Sequence, residues 1–202
     1  MKTLIWEFSE SLAAKQQIKN DGVIAFPTET VYGLGCRYDS FLAYNKIFEI
    51  KDRDGNKALT LMLHDKNDIL KYAQVDSKLL RVINKFMPGA ITIVVPIKED
   101  VEIIGCTSTV GIRIPDSKEL LAFLKNMEIP LFVTSANISG QRALVNYDDV
   151  YETFNNKIAG IVKGDISNGQ ASTVVSFINN KISILRAGPI SIEQIEKEYY
   201  DE

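Results

Sequence analysis

Two cations, Lys51 and Arg53, stand two positions apart where a stretch with helical apolar spacing ends, and far along the chain Ser135-Ala136-Asn137 follows an apolar run. Read as an extended segment, Lys51-x-Arg53 turns both side chains to one side, where two cations can converge on one polyanion. The hydroxyl of Ser135 and the amide of Asn137 add neutral hydrogen-bonding groups at a strand end, the place where open sheets put ligand loops. Arg113 interrupts Gly111-Ile112-Arg113-Ile114-Pro115, so strand alternation sends its guanidinium away from its apolar neighbours, toward water or an anion. Thr107-Ser108-Thr109 just upstream offers hydroxyls to a phosphate or a carboxylate, and Arg186 places a further cation at a strand end. The chemistry such a set serves is anion binding with charge neutralisation. Each piece alone also has a plain reading: solvated cations for Lys51, Arg53 and Arg186, an exposed strand face for Arg113, and a helix cap or Asx-turn for Ser135 and Asn137.

Other chemistries are poorly served. His64 is the one histidine, and no Ser or Cys nucleophile motif or paired-acid spacing accompanies it. Neither a Walker-type phosphate loop nor a Gly-x-Gly-x-x-Gly turn is present, so a nucleotide site must be built differently. Cys36 and Cys106 lack metal-ligand spacing and read as small buried hydrophobes; no metal ligand set is expected. The 202 residues, 46% of them hydrophobic, suit one large domain over 1–202. A net charge of -3 with no basic block disfavours nonspecific nucleic-acid binding while allowing a local basic cleft. The N-terminal apolar run is too short for a signal peptide, and nothing approaches the ~20 apolar residues that cross a bilayer, so a cytoplasmic protein without membrane contact is expected.

The positioning elements follow from periodicity. Gly22–Phe26 reads as a buried strand ending in a loop at Pro27, with glycines in the following segment that bend freely. Phe41, Tyr44, Ile47 and Phe48 recur at helical spacing behind Ser40, an N-cap, so that Lys51 and Arg53 fall at or past the helix end, and Asp54-Gly55-Asn56 turns the chain. Residues 58–63, 91–96, 111–115, 130–133, 161–162, 172–177 and 182–185 read as strands. Helices are expected around Leu79–Met87, stopped by Pro88-Gly89, around Leu120–Met127, and near Ile192–Tyr199, with Asn179-Asn180 as a hairpin turn. Strands that are sometimes adjacent and sometimes separated by helices imply a mixed sheet, partly covered, with a face left for a cleft.

In order and context, Pro27-Thr28-Glu29-Thr30-Val31-Tyr32-Gly33-Leu34-Gly35, Lys51-x-Arg53, Pro88-Gly89-Ala90-Ile91, Gly111-Ile112-Arg113-Ile114-Pro115, Ser135-Ala136-Asn137-Ile138-Ser139-Gly140, Ser172-Thr173-Val174-Val175 and Leu185-Arg186-Ala187-Gly188-Pro189 resemble the YrdC family of threonylcarbamoyl-AMP synthases across nearly the whole chain. The resemblance implies an α/β fold, a twisted open mixed sheet with flanking helices around a large positively charged cleft. It also implies a nucleotidyltransferase that joins L-threonine, bicarbonate or CO2, and ATP into threonylcarbamoyl-AMP and pyrophosphate, for threonylcarbamoyladenosine at tRNA position 37. By that resemblance Lys51 and Arg53 are catalytic, holding phosphates and developing charge. Thr30, Met62, Arg113, Ser135 and Ser172 bind threonine, while Arg53, Lys57, Thr109, Asn137, Val145 and Arg186 bind ATP. Mg2+ is expected through the ATP phosphates, and transient contact with tRNA or its downstream transfer complex is implied. The chain looks like the short form, without an extra C-terminal domain. It departs from the family where proline is common: Asp54 follows Arg53, and is expected to point outward, and Ala187 follows Arg186. Two other classes of function stay open: a noncatalytic RNA-binding module, and a carbamoyl-adenylating domain of the hydrogenase-maturation type.

Overall fold

The computed structural model describes residues 2–52, 58–167 and 169–200. Ten strands form one mixed sheet: β1 Leu4–Trp6, β2 Ile24–Pro27, β3 Tyr32–Arg37, β4 Thr60–Met62, β5 Ile91–Pro96, β6 Thr109–Arg113, β7 Leu131–Ser135, β8 Gly160–Val162, β9 Thr173–Ile178 and β10 Lys181–Arg186. Their order is β1-β8-β2-β3-β7-β4-β6-β5-β9-β10, with β1, β2 and β8, β4 and β6, and β5 and β9 paired in parallel and the other neighbours antiparallel. The helices are α1 Ser11–Lys19, α2 Phe41–Lys51, α3 Ile69–Tyr72, α4 Ser77–Phe86, α5 Lys118–Met127, α6 Tyr147–Phe154 and α7 Ile192–Tyr200. Capping chemistry fixes several starts: Ser40, Asp76, Ser117 and Asn146 each accept a backbone N–H of the first turn. The turn between β9 and β10 is set by Asn179 and Asn180, both left-handed at φ 54° and 57°, as a type I′ hairpin requires.

Strand alternation sorts side chains to two faces. One face carries Tyr32, Leu34, Cys36, Leu61, Ile91, Ile93, Val110, Ile112, Phe132 and Val175 into a large core closed by α2, α3, α4, α6 and α7. The opposite face is covered over only half its width. There α1 and α5 bring Ala14, Ile18, Leu120, Phe123 and Leu124 down onto Trp6, Ile24, Phe26, Met62, Leu131 and Val133. Thr60 on β4 and the outward positions of β5, β6 and β9 lie beyond these two helices, and with the edge of Met62 they form the floor of the cleft. No helix among the described residues is long and apolar enough to cross a membrane.

One expectation is corrected. The loop after Pro27 is short, residues 28–31, and the glycines fall beyond it in a strand: β3 pairs with β2 through Pro27↔Tyr32, Phe26↔Gly33 and Ile24↔Gly35, and with β7 on its other side. Its glycines serve close packing rather than bending. A Cβ on Gly33 would lie 2.9 Å from Val133 Cγ1, and one on Gly35 would lie 2.6 and 3.0 Å from the Phe26 ring. Gly35→Ala therefore overpacks a buried strand pair, and is expected to cost about 1–3 kcal/mol. The check is a thermal melt, with a fall of several degrees as the expected outcome; an unchanged melt would show that Phe26 yields freely.

Candidate active site

The uncovered half of the sheet holds a cavity of about 380 Å3, within the range of small-molecule sites. Its floor comes from the outward positions of the central strands: Thr60 and Met62 on β4, Thr92 and Val94 on β5, Thr109, Gly111 and Arg113 on β6, and Val174 on β9. Ser172 and Arg186 approach from the β9–β10 side, and Val133 and Ser135 from β7. Among the described residues the lining carries two guanidiniums and a ring of hydroxyls, and no carboxylate. Glycine matters at position 111, where a Cβ would sit in ordinary contact with Thr92 and Thr60 and begin to fill the floor.

Arg113 is only 7% exposed. Its Nη2 donates to Glu29 Oε1 at 2.7 Å and to Thr30 Oγ1 at 2.9 Å. The turn between β2 and β3 fixes both acceptors. Thr28 Oγ1 accepts the backbone N–H groups of Thr30 and Val31 and gives its own proton to Val31 O at 2.8 Å. The 2.8 Å contact between the Thr28 and Thr30 hydroxyls is therefore donated by Thr30, which leaves the Thr30 lone pairs for Arg113. Arg113 Nε and Glu29 Oε2 are buried without a hydrogen-bond partner among the described residues.

Arg186 donates from Nε to Ser172 O and from Nη2 to Ser172 Oγ, both at 3.0 Å, and the Ser172 hydroxyl also meets that of Thr92 at 3.1 Å. Burial, and then the nearby charge of Arg113, lower the guanidinium of Arg186 below its ordinary value. Both guanidiniums face the same cavity, that of Arg113 buried and that of Arg186 open to solvent at the rim, an arrangement that favours an incoming anion.

Lys51 ends α2 at a left-handed Asp52, so Lys51 sits at a helix end rather than in the extended stretch expected from sequence. Its ammonium is 1% exposed and donates to Ser135 O, to Asn137 O at 2.7 Å and to Asn137 Oδ1 at 3.1 Å. Asn137 is equally engaged: Oδ1 accepts from Ser135 Oγ at 2.6 Å, and Nδ2 donates to Ile138 O and Gln141 O at 2.9 Å each. Lys51 and Ser135-Ala136-Asn137 are thus brought together, as the sequence motifs suggested, but the ammonium is turned into the loop and not into the cavity.

Of the other sequence-derived site residues, Met62, Thr109, Arg113, Ser135, Ser172 and Arg186 line the cavity. Thr30 stands one layer behind, against Arg113, and Asn137 beside Lys51. Val145 is exposed and outside the lining. Arg53, Asp54 and Lys57 lie outside the described residues. Thr60, Thr92 and Gly111 were missed, although the pattern was legible: each is the polar or small residue on the outward register of a strand whose inward register is leucine, isoleucine or valine. Glu29 lies within the Pro27–Gly35 motif, and no role for it is legible from sequence because its partner Arg113 is distant along the chain.

An open mixed sheet with a half-bare face, two guanidiniums and a hydroxyl floor defines an α/β protein with a polar cavity of small-molecule size. The chain belongs to the Sua5/YciO/YrdC family: the sequence pattern of that family, described as "Telomere recombination", matches residues 16–188. A Methanocaldococcus jannaschii protein provisionally named threonylcarbamoyl-AMP synthase is 32% identical over 185 residues, covering 91% of this chain and 87% of that protein. The threonylcarbamoyl-AMP synthase of Bacillus subtilis is 34% identical over 184 residues, 89% of this chain and 53% of that one. Among solved structures, P. abyssi Sua5 complexed with L-threonine is similar at TM-score 0.89 and 30% identity, over 98% of this chain and 61% of that chain. E. coli YciO shares the fold at TM-score 0.84 and 20% identity, over 96% and 98% of the two chains. The chain therefore spans about half of the B. subtilis relative and about three fifths of P. abyssi Sua5.

Proposed function

We propose that this protein is a threonylcarbamoyl-AMP synthase, an enzyme that converts L-threonine, bicarbonate or CO2, and MgATP into threonylcarbamoyl-AMP and pyrophosphate. The observation that carries the reading is the buried Arg113 on a hydroxyl-lined cavity, in a chain that aligns over 98% of its length with a relative crystallised with L-threonine. Arg113, with part of its guanidinium left over from Glu29 and Thr30, pairs the threonine carboxylate. Ser135, Ser172, Thr30 and Met62 complete that side.

The threonine amine adds CO2 and loses a proton to give a carbamate. A carbamate oxygen then attacks the α-phosphorus, and the α–β bridging oxygen leaves with pyrophosphate. A carbamate is a weak nucleophile, so the work falls to alignment and charge neutralisation. Arg186 and Thr109 approach the phosphates from the β6 and β10 side, joined in this reading by Arg53, Lys57, Asn137 and Val145. Lys51 contributes by holding Ser135 and Asn137 in place. Mg2+ would enter as part of the nucleotide, held by phosphate oxygens. The product would serve threonylcarbamoylation of adenosine at tRNA position 37, with transient contact to the transfer machinery.

The test is pyrophosphate release from MgATP and bicarbonate with L-threonine, with L-serine and with no amino acid. Release that requires threonine is expected. Release that ignores threonine but requires carbamoyl phosphate would move the chain to carbamoyl adenylation, and none with any substrate would leave RNA binding as the reading to pursue.

A further inference from the structure

Glu29 is a carboxylate beside a site otherwise built for anions, and the proposed reaction gives it no role. Its side chain is 11% exposed, close against Arg113 but absent from the cavity lining, so it reaches the cavity through the guanidinium it bonds. Among the described residues it is the one carboxylate paired with either cavity arginine. Both protons of Arg113 Nη2 are committed, one to Glu29 and one to Thr30. A pair built only to brace Arg113 would close into a fork, with Nε donating to Oε2. Here both of those atoms stay buried and unbonded. The charge on Oε2 is thus not quenched by a hydrogen bond, and it acts at short range in a medium of low dielectric.

The charge balance has a consequence for the ligand. Arg113 and Glu29 together are neutral, which leaves Arg186, at the far rim of the cavity, as the lining arginine with no carboxylate partner among the described residues and assigns the preference for anions to its side. A bare carboxylate docked on Arg113 makes the group net negative and repels Glu29, whereas a zwitterionic amino acid brings a compensating ammonium. We propose that Glu29 is a specificity-determining positioning residue: it balances Arg113 so that the cavity takes an α-amino acid as its zwitterion and disfavours the same carboxylate without an ammonium group. This rests on the reading of the cavity as an amino-acid site.

The test is calorimetric titration of the full chain, without nucleotide, with L-threonine and with 3-hydroxybutanoate, which is threonine with its amine replaced by hydrogen. Wild type is expected to bind threonine about tenfold tighter or more. Glu29→Gln keeps an acceptor for Arg113 Nη2 and removes the charge. It should weaken threonine, tighten 3-hydroxybutanoate and bring the ratio toward one, with Glu29→Asp retaining the wild-type preference. A purely structural role would weaken both ligands together and leave their ratio unchanged, and that result would overturn the proposal. So would equal affinities in wild type, a measurement that stands even if the Gln variant does not fold. If no α-amino acid binds wild type, the amino-acid reading itself falls; if threonine binds but the ratio survives Glu29→Gln, only the role of Glu29 falls.

Discussion

Arg113→Ala should raise the threonine concentration needed for half-maximal pyrophosphate release by about a hundredfold or more, because truncating one partner of a buried, hydrogen-bonded charge pair costs roughly 2–5 kcal/mol. Two losses combine. The substrate carboxylate loses its only cationic partner from β6, and Glu29 is left buried without the guanidinium that now bonds it at 2.7 Å. The second loss falls on the fold, where an orphaned buried charge costs about 3–5 kcal/mol. For a domain whose whole stability is about 5–15 kcal/mol, that is a large share. The two effects separate in the double variant Glu29→Gln with Arg113→Met, which removes both charges and should regain most of the melting temperature while staying unable to bind threonine. Near-normal threonine saturation in a folded Arg113→Ala would place the carboxylate elsewhere, with Arg186 the next candidate.

The sequence carried the parts of this site that depend on local rules. The β9–β10 hairpin follows from two asparagines that tolerate the left-handed region, and α4 from an apolar stripe behind Asp76, a residue that caps its first turn. Arg113 was legible because strand alternation forces it away from Ile112 and Ile114, which lie in the core. What depends on distant partners was not. Gly33 and Gly35 look like bending residues until Val133 and Phe26 are seen pressed against their missing side chains. Lys51 looks like a surface cation because sequence alone cannot show that a loop more than eighty residues later supplies its acceptors. The same long range hid the pairing of Glu29 with Arg113, since neither motif mentions the other. Motif spacing thus singled out residues that line one cavity, while the division between groups that face the cavity and groups that hold other groups emerged only from packing.

That division is sharpest at Lys51, where Lys51→Met is expected to lower pyrophosphate release by two orders of magnitude or more and to lower stability as well. Methionine keeps much of the apolar stem of a residue that is 1% exposed, so the packing change is small. The lost ammonium is different. Ser135 O, Asn137 O and Asn137 Oδ1 lose a shared donor, and each buried acceptor left unmet costs about 1–3 kcal/mol, less what water entering from the adjacent cavity restores. A net loss of about 2–4 kcal/mol corresponds to a melting temperature lower by roughly 5–15 °C in a chain of this length. Activity falls because Asn137 bonds Ser135, and Ser135 lines the cavity, so a loosened loop misplaces a group that must be aligned to well under an ångström. The double readout decides between two roles for the ammonium. A loss of turnover with an unchanged melt would mean that Lys51 acts on the phosphates and only rests on the loop. A loss of both, with threonine binding weakened far less than in Arg113→Ala, is what a buried ammonium that organises Ser135 and Asn137 should give.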